Sequence, residues 1–451
     1  MTEEAAVQET TGAILASSAE LRALVLDLWQ RIRIDWSYAS DQLSKSFRAN
    51  KSLSGDSRRA VAETLYAMIR QLRRLDFALS LGGRPSDRER DALRLWATLI
   101  LEFGVAPERA KIASAAIDWQ KVANVADVID GERNQTTRVG LAASLPEWLA
   151  EMLVSQYGDR ALPLAMALSK RAPMTVRANT LKGDADALAA ELTESGFATS
   201  RGEYAENALV FETRTNIFGL AGFKRGLFEA QDEGSQLIAE LVAPPPKAKV
   251  VDYCAGAGGK TLALSALMEN RGRIIAADVN ARKLAELRRR AKRAGAGNIF
   301  ATELSDEPLA SLPKPLEAWR MKADRVLVDA PCTGVGALRR NPEIRWRLGP
   351  GDPARLAKLQ LDILENAYEL VKPGGRLIYA TCSVLRSENQ DVVASFLERH
   401  SDALTFAPKE IWGRAKATPL VDESERFMTL FPDVHGTDGF FVAILRRTPE
   451  A

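Results

Sequence analysis

From Glu229 onward the sequence alternates short aliphatic runs with helix-patterned stretches, and this alternation limits the possible folds more than any other feature. The runs at residues 249–253, 273–278, 298–302, 324–329, 376–381 and 439–445 are short and rich in aliphatic side chains. They read as buried strands. Stretches 261–270, 281–294 and 356–371 between them carry helical periodicity, and a further helix at 233–241 precedes the first strand. Strand, helix, strand in strict order predicts a doubly wound parallel α/β sheet. Ligands of such sheets bind at the carboxyl ends of the strands.

Three cysteines occur in the chain, and each falls at such an end. Val250-Val-Asp-Tyr-Cys254 runs from strand into cysteine, as does Leu377-Ile-Tyr-Ala-Thr-Cys382. In Val326-Leu-Val-Asp-Ala-Pro-Cys332 the strand ends on Asp329, and Pro331 and Gly334 prevent its continuation. An odd count argues against a disulfide framework. The wide cysteine spacing, with His400 and His435 far from each cysteine in sequence, argues against a metal site. What remains is thiol chemistry at one sheet edge or three small buried side chains.

Tyr253-Cys-Ala-Gly-Ala-Gly-Gly-Lys-Thr261 is a glycine-rich turn between strand and helix, where the backbone can approach a ligand closely. Two readings compete. Gly259-Lys260-Thr261 is nearly a phosphate-binding P-loop, but that pattern requires glycine where this chain has Cys254. The other reading is a nucleoside cofactor over the turn, its ribose held by Asp278 at the end of the next strand, about 20 residues beyond Gly259. Spacing alone does not choose between S-adenosylmethionine and a dinucleotide.

Residues 12–138 read as an all-α domain. Leu21, Leu24, Val25, Leu28 and Trp29 keep the spacing of one helix face, as do Val61, Leu65, Met68, Ile69 and Leu72, with Asp56 or Ser57 as candidate cap. A small α+β module follows, with strands at 174–181, 197–201 and 208–212 around a helix at 184–195. The expected domains are therefore 1–140, 141–232 and 233–451. A net charge of +2 does not announce a nucleic-acid partner. Local clusters do offer phosphate contacts: Lys45, Arg48, Lys51, Arg58, Arg59, Arg70, Arg73 and Arg74 in the helical domain, and more weakly Arg288, Arg289, Arg290, Lys292 and Arg293. Arg339, Arg340, Arg345 and Trp346, shortly after Cys332, suit phosphate contact and base stacking. The acidic, polar start of the chain and the lack of an apolar run of about 20 residues lead us to expect a cytoplasmic protein with no membrane partner.

Asp252-Tyr-Cys-Ala-Gly-Ala-Gly-Gly-Lys-Thr261, Asp329-Ala-Pro-Cys-Thr-Gly334 and Ala380-Thr-Cys-Ser383 together resemble the RNA (cytosine-5) methyltransferases of the Sun/Fmu and NSUN group. Arg177-Ala-Asn-Thr-Leu-Lys182, Glu229-Ala-Gln-Asp-Glu-Gly-Ser235 and His435-Gly-Thr-Asp-Gly-Phe440 match further segments, so the likeness covers about residues 146–447. It implies a Rossmann-like S-adenosylmethionine-dependent domain, a ribosomal RNA substrate, and a NusB-like RNA-binding module in the helical region. It assigns the nucleophile to Cys382, release of the methylated base to Cys332, and the N3 edge of cytosine to Asp329. By the same resemblance Cys254, Ala255, Gly256, Ala257, Gly258, Gly259 and Lys260 hold the cofactor with Asp278 and Asp329, and Glu303 or Asp306 approaches the adenine. Ala257 stands where the family commonly has proline. Arg177 is carried over as an RNA contact. Transfer RNA as substrate, and a non-catalytic ribosome-assembly factor, are the alternatives. A monomer without metal is expected.

Overall fold

The computed structural model of the protein describes residues 3–84, 86–305 and 312–449. By its internal contacts the chain forms two units. One comprises Met1–Arg171 with Leu338–Pro350, the other Ala172–Ala337 with Gly351–Ala451.

The first unit is helical among its described residues. Helix Ala19–Arg33 starts where the Ser18 side chain accepts from the Leu21 amide, and it buries Leu21, Val25, Leu28, Trp29 and Ile32. The long helix Gly55–Gly82 is capped by Ser54, whose hydroxyl accepts from the Ser57 amide. The cap is thus two or three residues earlier than the sequence suggests. Helix Arg90–Phe103 ends at Gly104, which sits in the left-handed region at φ 65° and lets the Val105 amide reach the Leu99 carbonyl at 3.0 Å. Helices Glu147–Tyr157 and Ala161–Ser169 also belong to this unit, so its packing runs past the expected boundary at residue 140.

The second unit holds two sheets. Strands β1 (Met174–Ala178), β2 (Thr199–Arg201), β3 (Ala208–Phe211) and β4 (Phe228–Ala230) form a small antiparallel sheet in the order β2-β3-β1-β4. β4 was not expected, since three residues are too few to show a periodicity. The larger sheet contains β5 (Lys249–Asp252), β6 (Arg273–Asp278), β7 (Ile299–Glu303), β8 (Ala323–Asp329), β9 (Val371–Thr381), β10 (Ala403–Thr405), β11 (Met428–Leu430) and β12 (Phe440–Arg447). Its order is β10-β12-β9-β8-β5-β6-β7, with β11 beside β12.

β5 to β9 are parallel, as the alternation predicts, but β12 is antiparallel to β9 and pairs with β10 and β11 in the same sense. The sheet is therefore mixed, which corrects the all-parallel reading. A strand buried on both faces has the same composition in either direction, so composition could not reveal this. Both faces are covered: Val251, Val326 and Val328 point into one apolar cluster, Val250, Leu327 and Ile378 into another. From β5 the chain builds outward to β6 and β7, then returns to place β8 on the other side of β5. The carboxyl ends of β5 and β8 thus flank a topological switch point, where such sheets open a crevice.

Candidate active site

At that switch point lies a cavity of about 740 Å³. The glycine turn forms one wall, leaving β5 and entering helix Gly259–Leu267. Gly258 has φ 84°, and a Cβ there would stand 2.6 Å from Leu287 Cγ, so both conformation and space demand glycine. The Ala255 amide donates to the Ala277 carbonyl at 2.9 Å, and Arg290 donates to the Ala257 carbonyl at 2.8 Å. With these bonds the turn is held even though Ala257 replaces the usual proline.

Asp278, at the end of β6, accepts from the Gly256 amide at 2.7 Å and from the Asn280 amide at 2.8 Å. These bonds leave acceptor positions on its two oxygens, and the side chain lines the cavity. Thr261 is buried and donates to Asp252 Oδ2 at 2.6 Å. The other oxygen of this buried Asp252 has no hydrogen-bond partner among the described residues. Burial above all, with the charges of Asp329 and Asp278 adding, pushes the Asp252 pKa up to about 7 against the opposing Thr261 bond and Lys260 charge.

Lys260 Nζ and Asp329 Oδ2, which both line the cavity, are 2.8 Å apart. Burial acts to lower the Lys260 pKa, but Asp329, Cys382 and Asp252 outweigh it and the ammonium is stabilised. Its Nζ lies 5.9 Å from the Phe440 ring centre. Just past Asp329, Cys332 Sγ is 3.4 Å from Cys382 Sγ. The loops carrying them are stitched to the sheet: the Ala330 amide donates to Ala380, Gly336 to Cys382 and Gly439 to Gly336, at 2.9, 3.0 and 2.9 Å. A side chain at Gly336 would come within 2.1 Å of the Gly439 carbonyl, so this crossing requires glycine. The Cys332 thiol is held well above its usual pKa, first by its hydrogen bond with Cys382 and then by burial. It therefore remains an S–H donor. Cys254 lines the cavity on the glycine turn, and burial raises its pKa strongly.

The cysteine pair, Asp329, Lys260, the glycine turn and Asp278 are thus gathered at one edge. Glu303 is exposed on β7, paired in register with Asp278, while Leu304 and Ser305 reach the cavity instead. Asp306 lies outside the described residues. Val279, Lys283 and Asp362 also line the cavity and were not anticipated. Their only sequence signal was proximity to Asp278 or a place on a long amphipathic helix.

Several of the expected RNA contacts, Arg345, Trp346 and Arg177 foremost, are engaged inside the protein. Arg345 is fully buried in the helical unit, and its guanidinium donates to the carbonyls of Arg70, Ala143 and Ser144 and to Ser169 Oγ, at 3.0 to 3.3 Å. Trp346 donates to the Ile69 carbonyl at 2.7 Å and packs against the same core. Arg339 is buried and Arg340 half-buried. Arg177 is also buried, donates to Gln231 Oε1 at 2.7 Å, and has its pKa lowered to about 10 by burial foremost. Arg290 and Arg293 bind the buried Glu229. Arg58 and Arg73 bind backbone carbonyls. Lys45, Arg48, Lys51 and Arg59 are exposed. The buried arginines among these have long stems and many donors that suit them to internal scaffolding. Arg345→Ala is accordingly expected to destabilise the helical unit by about 2–4 kcal/mol, through a cavity and orphaned carbonyls. Thermal unfolding would show this, whereas the salt dependence of RNA binding should not change, as it would on losing a phosphate contact.

A family model described as 16S rRNA methyltransferase RsmB/F matches residues 239–446. A second, for the ferredoxin-like domain of RsmF/B-like methyltransferases, matches residues 145–218. A Synechocystis protein named probable ribosomal RNA small subunit methyltransferase B is 30% identical over 424 residues, 88% of this chain and 92% of that protein. The chain belongs to the RsmB/F family. A Bacillus subtilis protein of the same name is 29% identical over 454 residues, 95% of this chain and 98% of that one. Among solved structures, a methyltransferase homolog protein from Pyrococcus horikoshii superposes with a TM-score of 0.60 at 30% identity, covering 70% of this chain and all of that one. The RsmB/F match contains the glycine turn, Asp278, Asp329 and both paired cysteines. Among the described residues no helix is long and apolar enough to cross a membrane, and no group of three or more His, Cys, Asp or Glu side chains is placed to hold a metal.

Proposed function

We propose that the chain methylates carbon 5 of a cytosine in small-subunit ribosomal RNA, with S-adenosylmethionine as donor and Cys382 as a covalent nucleophile. The carrying observation is the pair of thiols 3.4 Å apart at the carboxyl ends of β8 and β9, the same sheet edge as the Lys260–Asp329 ion pair that lines the switch-point cavity. The cavity's charged lining is mainly acidic, with Asp252, Asp278, Asp329 and Asp362 against Lys260 and Lys283. That donor set suits a cation bearing an amino group and ribose hydroxyls, and repels a triphosphate. Thr261, which a P-loop would turn toward magnesium, is instead bound to Asp252.

The sulfonium of the bound donor supplies an electrophilic methyl group. Cytosine carbon 5 is too weak a nucleophile to take it unaided. The Cys382 thiolate adds to carbon 6, and the electron pair displaced from the C5–C6 double bond makes carbon 5 an enamine carbon. Asp329, paired with Lys260, faces the N3 edge and stabilises its protonation during addition. After methylation carbon 5 gives up its proton to a water molecule, the double bond re-forms and the C6–sulfur bond breaks, its electron pair leaving on Cys382 Sγ. The Cys332 S–H stabilises the departing sulfur. The target base must be unstacked to reach the thiolate. The exposed Lys45, Arg48, Lys51 and Arg59 of the helical unit support an RNA-gripping, NusB-like role for that unit. A monomer acting on ribosomal RNA in the cytoplasm fits this reading.

Labelled methyl transfer to unmodified ribosomal RNA, followed by nucleoside mass analysis, tests the proposal. The expected product is 5-methylcytosine, and a methyl group on another base or atom would refute it. Transfer RNA run in parallel would show whether it is the better substrate. Asp278→Ala is expected to weaken donor binding about 10- to 100-fold, since it removes charge-assisted bonds to the ribose and frees the Gly256 amide. Unchanged affinity by calorimetry would remove Asp278 from the site.

A further inference from the structure

Glu388 is fully buried, in the turn Arg386–Glu388 just after the second cysteine. Four donors converge on its carboxylate. Oε1 accepts from the Thr333 amide at 2.8 Å and Gln360 Nε2 at 3.1 Å, and Oε2 from the Thr333 and Ser383 hydroxyls. Thr333 directly follows Cys332, and Ser383 directly follows Cys382. The preceding residues are tied to the same cluster. Gln360 Nε2 donates to the Pro331 carbonyl at 3.0 Å, and the Thr381 hydroxyl donates to Asn389 Oδ1. Asn389 Nδ2 in turn donates to the Ser383 carbonyl at 3.0 Å, and the Tyr379 hydroxyl donates to the Glu388 carbonyl.

We propose that Glu388 is a positioning residue that sets the geometry of the cysteine pair by clamping the segments on both sides of it. The inference rests on reading Cys332 and Cys382 as the reacting thiols. An ionised carboxylate is purely an acceptor, and these four donors fill its positions. Burying that charge is costly unless such bonds are made, so the cluster forms only when both loops are in place. A protein that merely needed to fill this space would use an apolar side chain. The residues bound are the immediate neighbours of both thiols, which fixes where each sulfur sits. Glu388 also acts through its charge. It joins the Cys382 hydrogen bond, burial and the Cys382 charge in keeping the Cys332 proton on, against the Gly334 amide. The Tyr379 hydroxyl, the other titratable group against the pair, is raised well above its usual value by burial and by the charges of Cys332 and Glu388, so it stays neutral. Lys260 is the cation on the Cys382 side.

Glu388→Gln keeps the size but turns one oxygen into a donor that meets donors. We expect its methyl-transfer kcat to fall about 100-fold, the scale of a misplacement near 1 Å, with donor affinity by calorimetry within about threefold of wild type. A second readout is independent of catalysis. The pH midpoint for iodoacetamide labelling of Cys332, followed by peptide mass, should move down by about one unit in Glu388→Gln and return in Glu388→Asp, which restores the charge. Loss of packing alone would change the labelling rate without this charge-dependent shift. A kcat within threefold of wild type, or an unmoved midpoint, overturns the proposal. If Glu388→Gln does not bind the donor and so does not fold, Thr333→Val and Ser383→Ala take its place. Each is then expected to lower kcat about tenfold, and full activity in both overturns the clamp. If Cys382→Ala retains wild-type methyl transfer, the reading of the pair fails instead, and the labelling midpoint still decides the role of Glu388.

Discussion

Cys382→Ala is expected to lower methyl transfer on the order of 10⁴-fold or more, while donor binding stays unchanged. Without addition at carbon 6, carbon 5 of the cytosine ring is too weak a nucleophile to attack the sulfonium. Oriented binding of the two substrates would then be all that remains of catalysis. Cys382 Sγ lies 3.4 Å from Cys332 Sγ, on the side of the pair where Lys260 is the cation. The glycine turn and Asp278 are held by their own bonds to β6 and to Arg290, which is why the donor site should survive the substitution. Single-turnover transfer of labelled methyl groups, beside calorimetry of donor binding, makes the comparison. Activity within tenfold of wild type would move the nucleophile elsewhere, with Cys332 the first alternative.

Cys332→Ala should have the opposite signature. Addition and methylation proceed, but Cys382 must now leave carbon 6 without the S–H that stabilises it as a thiolate. Loss of one such donor slows a step by about 10²–10³-fold. Release then becomes slower than methyl transfer, and the protein accumulates as an RNA adduct. On a denaturing gel with S-adenosylmethionine and unmodified ribosomal RNA, we expect close to one RNA per protein in this variant. The double variant lacking Cys382 as well should show none. An adduct that persists in the double variant would show that a different side chain is bonded to the RNA. If free product forms at the wild-type rate in Cys332→Ala, Cys332 has no part in release.

Much of the site can be read along the chain because it is built from strand ends. A buried strand announces itself by its aliphatic run, and whatever follows it must emerge at the sheet edge. Asp278, Asp329, Cys332 and Cys382 were placed at that edge for this reason, and the structure has them there. Glu388, Asn389 and Gln360 gave no comparable signal. Their role comes from facing Thr333, Thr381 and Ser383 across the fold, and a lone acid after a strand more often faces solvent. Arg345 and Trp346 misled in the opposite direction. Arginines and tryptophan in a polar loop read equally well as an RNA contact or as anchors, and here their donors are used by carbonyls of the helical unit.

Local sequence is enough to specify the alternation of strand and helix, the helical N-terminal region, the glycine turn and the position of each cysteine at a strand's end. These follow from local periodicity and from residues with restricted backbone freedom, which act over a few positions. The antiparallel direction of β12, the packing of residues 338–350 with the helical unit, and the tie that Glu388 makes between both cysteine loops emerge from the folded arrangement alone. Strand direction leaves no mark on side-chain pattern. Whether a polar group is buried depends on neighbours distant in sequence, whose convergence exists only once the chain has folded.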